Sequence, residues 1–434
     1  MNAIDGWVTK PLGAVIKGIG DGGTPNTNKN EYFGGSIPWA VIQDIKKDIS
    51  ETKTTLTQLG LDSCSAKLWP AGSVILSTGA TIGEVGIAKV PLATKQGIHG
   101  IVCGEELSSS FLYYKLQTLR DFLNANAQGS TIREVRATFI RTIPITFPTE
   151  LSEQAKIVEI LSTVARVIEQ TEALIAKQQR IKTGLMQDLL TRGIDEHGNI
   201  RSEETHEFKD SPLGRIPVEW EITKLSSFVA RLDAGVSVNS EDKPCGAGQI
   251  GVLKTSALHK GRFFPDQNKT VIEAEEARVK VSPRIGTVLI SRMNTPELVG
   301  ESCYVNQNCP YLFLPDRIWM TVFHKRKEQV GKWLSFVLIS HHARSYITLH
   351  ATGTSGSMKS IPKKILLEMP LCAPRKITEL VQIGHELEKY ESVMDQIDVC
   401  LNKLRRLKTA LMQDLLTGKV PVTPLLSEPE VAST

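Results

Sequence analysis

The 434-residue chain has only seven cysteines, an odd number, with no CxxC pair and a closest spacing of Cys303 to Cys309. That excludes a paired disulfide framework and a thiolate zinc site, and leaves reduced thiols as the expectation. Long apolar runs are missing too. The longest, such as Trp333 to Ile339, fall far short of the roughly 18 residues a spanning helix needs, and no basic segment followed by an apolar one opens the chain. We therefore expect a soluble, unexported, cytoplasmic protein with no membrane contact. Catalytic signatures are also absent: no GxxxxGK, no HExxH and no NPPY-like tetrapeptide. KTG at 182–184 sits inside a helical repeat, and His341-His342 lack a third ligand. No catalytic residue, metal or cofactor is expected in this chain.

What is present is ordinary globular material. Hydrophobic residues make up 41% and charged residues 23%, which rules out wholesale disorder and fibrous architectures, and the length leaves room for about two to four domains. Net charge is +4 but unevenly spread: residues 1–150 carry 14 Lys+Arg against 13 Asp+Glu, residues 220–374 carry 20 against 13, and residues 194–219 carry 3 against 7. A locally basic globule in a nearly neutral chain fits contact with a polyanion, although a cationic face also occurs on proteins that bind none.

The strongest signal is an internal repeat. KTGLMQDLLTRG at 182–193 recurs as KTALMQDLLTGK at 408–419, an offset of 226, and at the same offset Pro144 and Pro148 fall over Pro370 and Pro374. Nearer the start the offset is 213 to 214: Trp7 with Leu12 matches Trp220 with Leu225, and GSVILSTGATIGEVG (72–86) matches GTVLISRMNTPELVG (286–300). The drift implies about a dozen residues inserted in the second copy. A period above 200 residues marks a duplicated two-domain unit, not a solenoid.

Within each copy the texture changes. Residues 1–148 and 220–374 hold short β-rich runs between turn residues and read as α+β globules. Residues 149–193 and 375–418 read as long helices, with Ser152 a candidate N-cap; 194–219 reads as an exposed connector and 419–434 as a tail. The first helix places Ile157, Leu161, Val164, Ile168, Ile175, Ile181, Leu185 and Leu189 on one seam. The second places Leu387, Tyr390, Met394, Ile397, Leu401, Leu404, Leu407, Leu411 and Leu415 in the same phase. Each rod would be roughly 60 Å long, and an apolar seam of that length needs a partner. Chain order is globule, helix, globule, helix, so the second helix can lie along the first only by running back. The fold expected is α+β, two similar globules joined by an antiparallel intramolecular coiled coil under an approximate two-fold. The alternative is two separate helices, each packed on its own globule.

Two related but unlike heads on a stiff spacer suit duplex DNA, whose surface repeats about every 34 Å. Unlike heads imply unlike half-sites with an unread middle. Candidate contacts in the first head are Thr24, Asn26, Asn28 and Lys29 in a Gly-rich loop, with Gln43, Thr81 and Gln96 on further turns. IPWAVIQDI (37–45) matches IGVLKTSAL (250–258), which sets Gln43 over Thr255 beside Ser256, at a strand end. In the second head Arg292, Asn294, Arg317 and Lys359 are candidates, because Asn reads adenine and Arg or Lys reads guanine bidentately. Arg317 has a local alternative in a pair with Asp316. QGSTIR (128–133), with Ser130, Thr131 and Arg133, and GTSGSMK (353–359), with Thr354 and Ser357, offer hydroxyls and backbone N–H groups before a helix. They suit phosphate contact or a helix cap equally.

The order of Trp7, the GATIG turn (79–83), GSTI (129–132), IPITFP followed by LSEQAKIVEIL (151–161), the KTGLMQDLLTRGID helix end and the THEFKDSPLGRIPVEWE connector (205–221) resembles the specificity subunits of type I restriction-modification systems. The resemblance spans nearly the whole chain. The second head departs from it, with GTSGSM for GSTI and MNTPE for the GATIG turn. It implies that the heads are target recognition domains, each reading one half of an asymmetric bipartite sequence. It implies also that the helices set the spacing and dock two modification subunits, through seam positions such as Leu161, Ile168, Ile175, Leu185, Leu189, Leu387, Met394, Leu401, Leu411 and Leu415. S-adenosylmethionine, ATP and Mg would then belong to the modification and restriction subunits. Two other readings are open: a specificity module for another methyltransferase or phage-defence system, and a coiled-coil protein scaffold without DNA binding.

Overall fold

The computed structural model describes residues 5–129, 133–325, 327–355 and 357–426. It divides into two compact units, Met1–Glu172 with Val399–Thr434, and Ala173–Asp398. Each unit holds one head and a stretch of both long helices.

In the first unit the head is built on a five-stranded sheet. Three strands form its frame: β1 (Ile16–Gly20), β2 (Val74–Ser77) and β3 (Ile98–Cys103), with β3 between the other two and Val85–Ala88 beyond β2. All three pairings are antiparallel. β2 is buried along its length, so it reads as a continuous apolar run and not as an alternating one. A separate two-stranded ribbon joins the ends of the head, Trp7–Pro11 against Pro144–Pro148, with Trp7 opposite Pro148. The long helix α1 (Leu151–Thr191) leaves directly after it. Ser152 lies inside its first turn, and the amides of Glu153 and Gln154 reach the Glu150 carbonyl, so Ser152 is not the cap.

The second unit repeats the frame. β4 (Val229–Ala234), β5 (Val288–Ser291) and β6 (Ile318–Phe323) lie in the order β4-β6-β5, with Ser302–Tyr304 beyond β5, and a ribbon pairs Trp220 with Pro374. The helix α2 (Ile377–Leu415) follows. The connector before this head is not simply exposed. Ile194 and Ile216 enter the core, and Arg201 is buried against Glu379, because an apolar residue and a paired guanidinium on this segment close the end of the helical layer.

In both units the helices run antiparallel. In the first, Glu172 of α1 meets Arg405 of α2 at 2.6 Å, while Ile157 and Leu161 share a core with Leu415 and Leu416. In the second, the Tyr390 hydroxyl donates to the Gln178 carbonyl at 3.1 Å, Lys182 pairs with Glu391, and Leu189 packs in one core with Leu387. Leu161, Leu189, Leu387, Met394, Leu401 and Leu415 are buried, with Ile168, Ile175, Leu185 and Leu411 half-buried. These side chains fill the protein's own seam, so most of them present nothing to a second protein. Ile181 and Leu407 depart from the expected pattern at 44% and 47% exposed. The seam keeps a strict seven-residue step, as a supercoiled pair requires, so Lys182 and Lys408 occupy that layer and bury their stems.

A lysine also closes the first unit. The ammonium of Lys115, 8% exposed, donates to the carbonyl of Leu416 at 2.8 Å, just past the end of α2. Burial lowers its pKa, and the last-turn carbonyls of a helix are the natural place for such a charge. Lys115→Ala is expected to cost about 1–3 kcal/mol, the scale for orphaning a buried acceptor. A urea midpoint equal to wild type would show the contact to be inert.

Candidate nucleic-acid interface

Beyond the carboxyl end of β1 the first head gathers four loops. The Asp21 carboxylate accepts from the amides of Gly22 (2.8 Å) and Gly97 (2.9 Å), tying the loop that carries Thr24, Asn26, Asn28 and Lys29 to the turn that carries Gln96. The Gly97 carbonyl in turn accepts from the Thr78 amide at 2.8 Å, and the Thr78 carbonyl from the Val135 amide at 2.9 Å, which adds the turn of Thr81 and the segment of Arg133. Such close approach requires glycine: a Cβ at Gly22 would stand 2.2 Å from the Thr94 carbonyl oxygen. Thr81, Gln96, Asn28 and Gln43 are exposed, and Thr24 is half-buried. Asn26 spends its carbonyl oxygen on the Asn28 amide at 3.0 Å, an Asx turn that shapes the loop. Lys29 lies over the Tyr32 ring and 3.8 Å from Glu31. Arg133 turns onto the Asn124 carbonyl at 2.6 Å. Ser130 and Thr131 lie outside the described residues.

The second head builds the same frame with other side chains. Ala234 sits opposite Trp319 at the end of β4, where the extended β1 register puts Asp21 opposite His99. Trp319 pairs with Ile290 as His99 pairs with Leu76. The Arg292 amide donates to the Arg317 carbonyl at 2.9 Å, as Thr78 does to Gly97, and the Ile361 amide donates to the Arg292 carbonyl at 3.1 Å, as Val135 does to Thr78. A Cβ at Gly235 would lie 1.5 Å from the Leu314 carbonyl oxygen, repeating the constraint at Gly22. Thr78 therefore corresponds to Arg292, Gly97 to Arg317 and His99 to Trp319.

Two details of the repeat change with this register. The equivalent hydrogen bonds Gly83 to Ser77 and Gly300 to Ser291 set the head-two turn three residues longer, so the gapless alignment of 72–86 with 286–300 fails after Ser77 and Ser291. The 3-10 turns Ile42–Asp44 and Thr255–Ala257 put Gln43 over Ser256, one residue from the expected Thr255, and on a 3-10 turn instead of a strand end.

The second head gathers cations. The Arg292 guanidinium lies 5.8 Å from the Trp319 ring centroid, and so does the ammonium of Lys363, which also donates to the Leu232 carbonyl at 2.7 Å. Arg317 is exposed, with no ion pair to Asp316. Lys359 lies in a strand paired with Asn294. Among the described residues no carboxylate stands within ion-pair distance of Arg292, Arg317, Lys359 or Lys363, although 28 ion pairs occur among those residues. Unneutralised, clustered cations attract an anion. Asn294 is engaged within its own turn, donating to the Ser291 hydroxyl at 3.3 Å. Thr255 is half-buried, and Ser256 donates to Gln267 at 3.3 Å. Ser357 is exposed, and Thr354 lies in the strand Thr352–Ser355 with its side chain undescribed. Lys363, Trp319, Asp21 and His99 were not among the sequence candidates; the GDGG turn was a visible signal for Asp21 alone.

Among the described residues no group of three His, Cys, Asp or Glu could hold a metal ion, and no helix is long and apolar enough to cross a membrane.

Residues 4–179 match the model of the type I restriction modification DNA specificity domain. The chain is 29% identical over 255 residues to the type I restriction enzyme MjaIX specificity subunit of Methanocaldococcus jannaschii, a match covering 57% of each chain, so it spans little more than half of that relative. It is 23% identical over 427 residues to the MjaVIII specificity subunit of the same organism, covering 96% of this chain and 94% of the other. A crystal structure of the type I restriction-modification S subunit from M. genitalium has the same fold, with a TM-score of 0.58 at 14% identity, over 96% of this chain and 97% of that one.

Proposed function

We propose, from the match of residues 4–179 to the type I restriction modification DNA specificity domain, that the whole chain is the DNA-reading subunit of a type I restriction-modification complex. Each head reads one half of an asymmetric, bipartite duplex target. The observation that carries the reading is the pair of matched frames: equivalent backbone hydrogen bonds hold the turns of Thr78, Gly97 and Arg133 in one head and those of Arg292, Arg317 and Lys359 in the other. A common frame with exchanged side chains is what reading two unlike half-sites needs, since base edges are told apart by donor and acceptor pattern.

The chain supplies recognition and no catalytic step. Methyl transfer would belong to two modification subunits using S-adenosylmethionine, and ATP-driven cleavage, with Mg, to restriction subunits, in the cytoplasm. Docking of two like partners is supported by a second apolar stripe on the helices. Val167 and Ile181 on α1 are 38% and 44% exposed, and at the repeat offset Val393 and Leu407 on α2 are 51% and 47% exposed. Leu174 (42%) and the exposed Cys400 complete the seven-residue steps. Repeated surfaces take repeated partners.

The test is selection of duplexes from a library with a random 40-base-pair centre by the full chain, alone and with the modification subunits encoded beside it. Two unlike conserved blocks around a fixed unconserved gap are expected. Affinity should fall on the order of a thousandfold or more between about 50 and 200 mM salt if six or more phosphates are contacted. An uninterrupted or palindromic motif, or salt-independent binding, would overturn the reading.

A further inference from the structure

The heads share a frame, yet three matched positions beneath the loops hold different chemistry. In the first head they are Asp21, Thr78 and His99. The His99 ring is 2% exposed, its Nδ1 lies 2.7 Å from the Thr78 hydroxyl and 3.8 Å from Asp21 Oδ1, and that same oxygen accepts from Gly22 and Gly97. In the second head the positions hold Ala234, Arg292 and Trp319, with the guanidinium resting over a buried indole. None of the buried members reaches solvent far enough to touch a ligand, so each acts through the loop above it.

Resting on the DNA-reading function above, we propose that these trios are the positioning nodes of the two readers, and that only the first is sensitive to acid: Asp21 and His99 fix the loops of residues 21–29 and 94–97, whereas Trp319 fixes the guanidinium of Arg292. An imidazole that gains a proton becomes a cation facing Asp21, and the carboxylate it attracts is the one that holds the amides of both loops. An indole and a guanidinium have no proton to exchange near neutrality.

The charged surroundings are simple. Just past β1 Asp21 faces His99, and the Lys67 ammonium lies beside Gly20; just past β2 the neighbour is the neutral Thr78; on the turn before β3 Lys95 is exposed; and Glu84, past the second turn, is engaged by Arg120 at 2.7 Å. Burial lowers the His99 pKa and Asp21 only partly restores it. The ring is thus neutral at pH 7. As pH falls below about 6.5, the unfolded value, the unfolded chain takes up a proton that the folded head resists. The node's contribution is therefore present above that pH and lost as pH falls toward the lowered folded value.

The experiment repeats the random-duplex selection with the full chain at pH 7.5, 6.5 and 5.5. The half-site that relaxes in Arg317→Ala is assigned to the second head. Wild type should lose preference in the first half-site progressively below pH 6.5 and keep it in the second. H99Q should weaken first-half preference at pH 7.5 and flatten its pH profile, and T78V, which keeps the side-chain shape, should weaken the same half alone. W319F should weaken the second half by about two- to thirtyfold, the range for a cation–π contact, with no pH profile. Equal acid sensitivity of both halves, a pH profile that survives in H99Q, or losses spread over both halves would overturn the nodes while leaving the DNA-reading function intact. Failure of wild type to enrich any two-part motif at any pH would overturn both. Variants that unfold are identified by thermal melting at pH 7.5, and T78V and W319F then decide the matter.

Discussion

Replacing Glu379 by glutamine is expected to cost about 3–5 kcal/mol, the largest effect of any single polar substitution in the second unit. The carboxylate accepts from both terminal nitrogens of Arg201, at 2.6 and 3.2 Å, from the Trp220 indole at 3.1 Å and from the Ile194 amide at 3.3 Å. Arg201 is 7% exposed, so a neutral partner leaves its guanidinium with only the exposed Glu219 carboxylate, 4.0 Å from Nε, as counter-ion in a site water scarcely enters. The amide oxygen of glutamine still serves Trp220, which isolates the loss of charge from the loss of an acceptor. Adding Arg201→Met should restore most of the stability, because removing both charges is often neutral while removing one is not. The first head provides the contrast. There Glu153 accepts from the Trp7 indole at 3.1 Å with no arginine beside it among the described residues, so Glu153→Gln should cost far less. Urea unfolding of the three variants beside wild type checks this; a loss below about 1 kcal/mol in Glu379→Gln, or no recovery in the double variant, would refute it.

Arg292→Ala with Arg317→Ala is expected to relax one half-site by about 5- to 150-fold per lost base contact, leaving the other half unchanged. Arg292 is pre-aimed by its stack on Trp319, and Arg317 is exposed and unpaired next to it in the frame. Any of the four cations that contacts phosphate should also reduce the salt slope of binding by about 0.9 when replaced. The matching positions in the first head are Thr78 and Gly97, which carry no charge, so T78V should leave the slope as it is. Competition between duplexes altered in one half at a time, at several salt concentrations, reads both quantities. An equal loss in both halves would remove Arg292 and Arg317 from the interface.

Much of the architecture could be read along the chain. Seven identical residues in LMQDLLT and a seven-residue apolar step are properties of local order, and they marked the duplication and both helices. Trp7 and Pro148 marked the repeat through Trp220 and Pro374, and the structure adds that each pair is opposed in a two-stranded ribbon. The site was less legible. Arg292, Arg317 and Lys359 stood out as polar residues on turns, but Lys363 was hidden at the start of a short helix, and nothing in the sequence tied it to Trp319.

Duplication, unlike heads and helices long enough to need a partner were determined by the sequence alone, because periodicity, identity and charge balance survive in one dimension. Tertiary structure alone decided which side chains meet. Asp21 and His99 are 78 residues apart and join only because β1 and β3 pair in that register. Lys182 and not Ile181 enters the helical seam because the step across it is set by the facing helix. Arg201 leaves solvent because Glu379 and Trp220 give its charge a partner there.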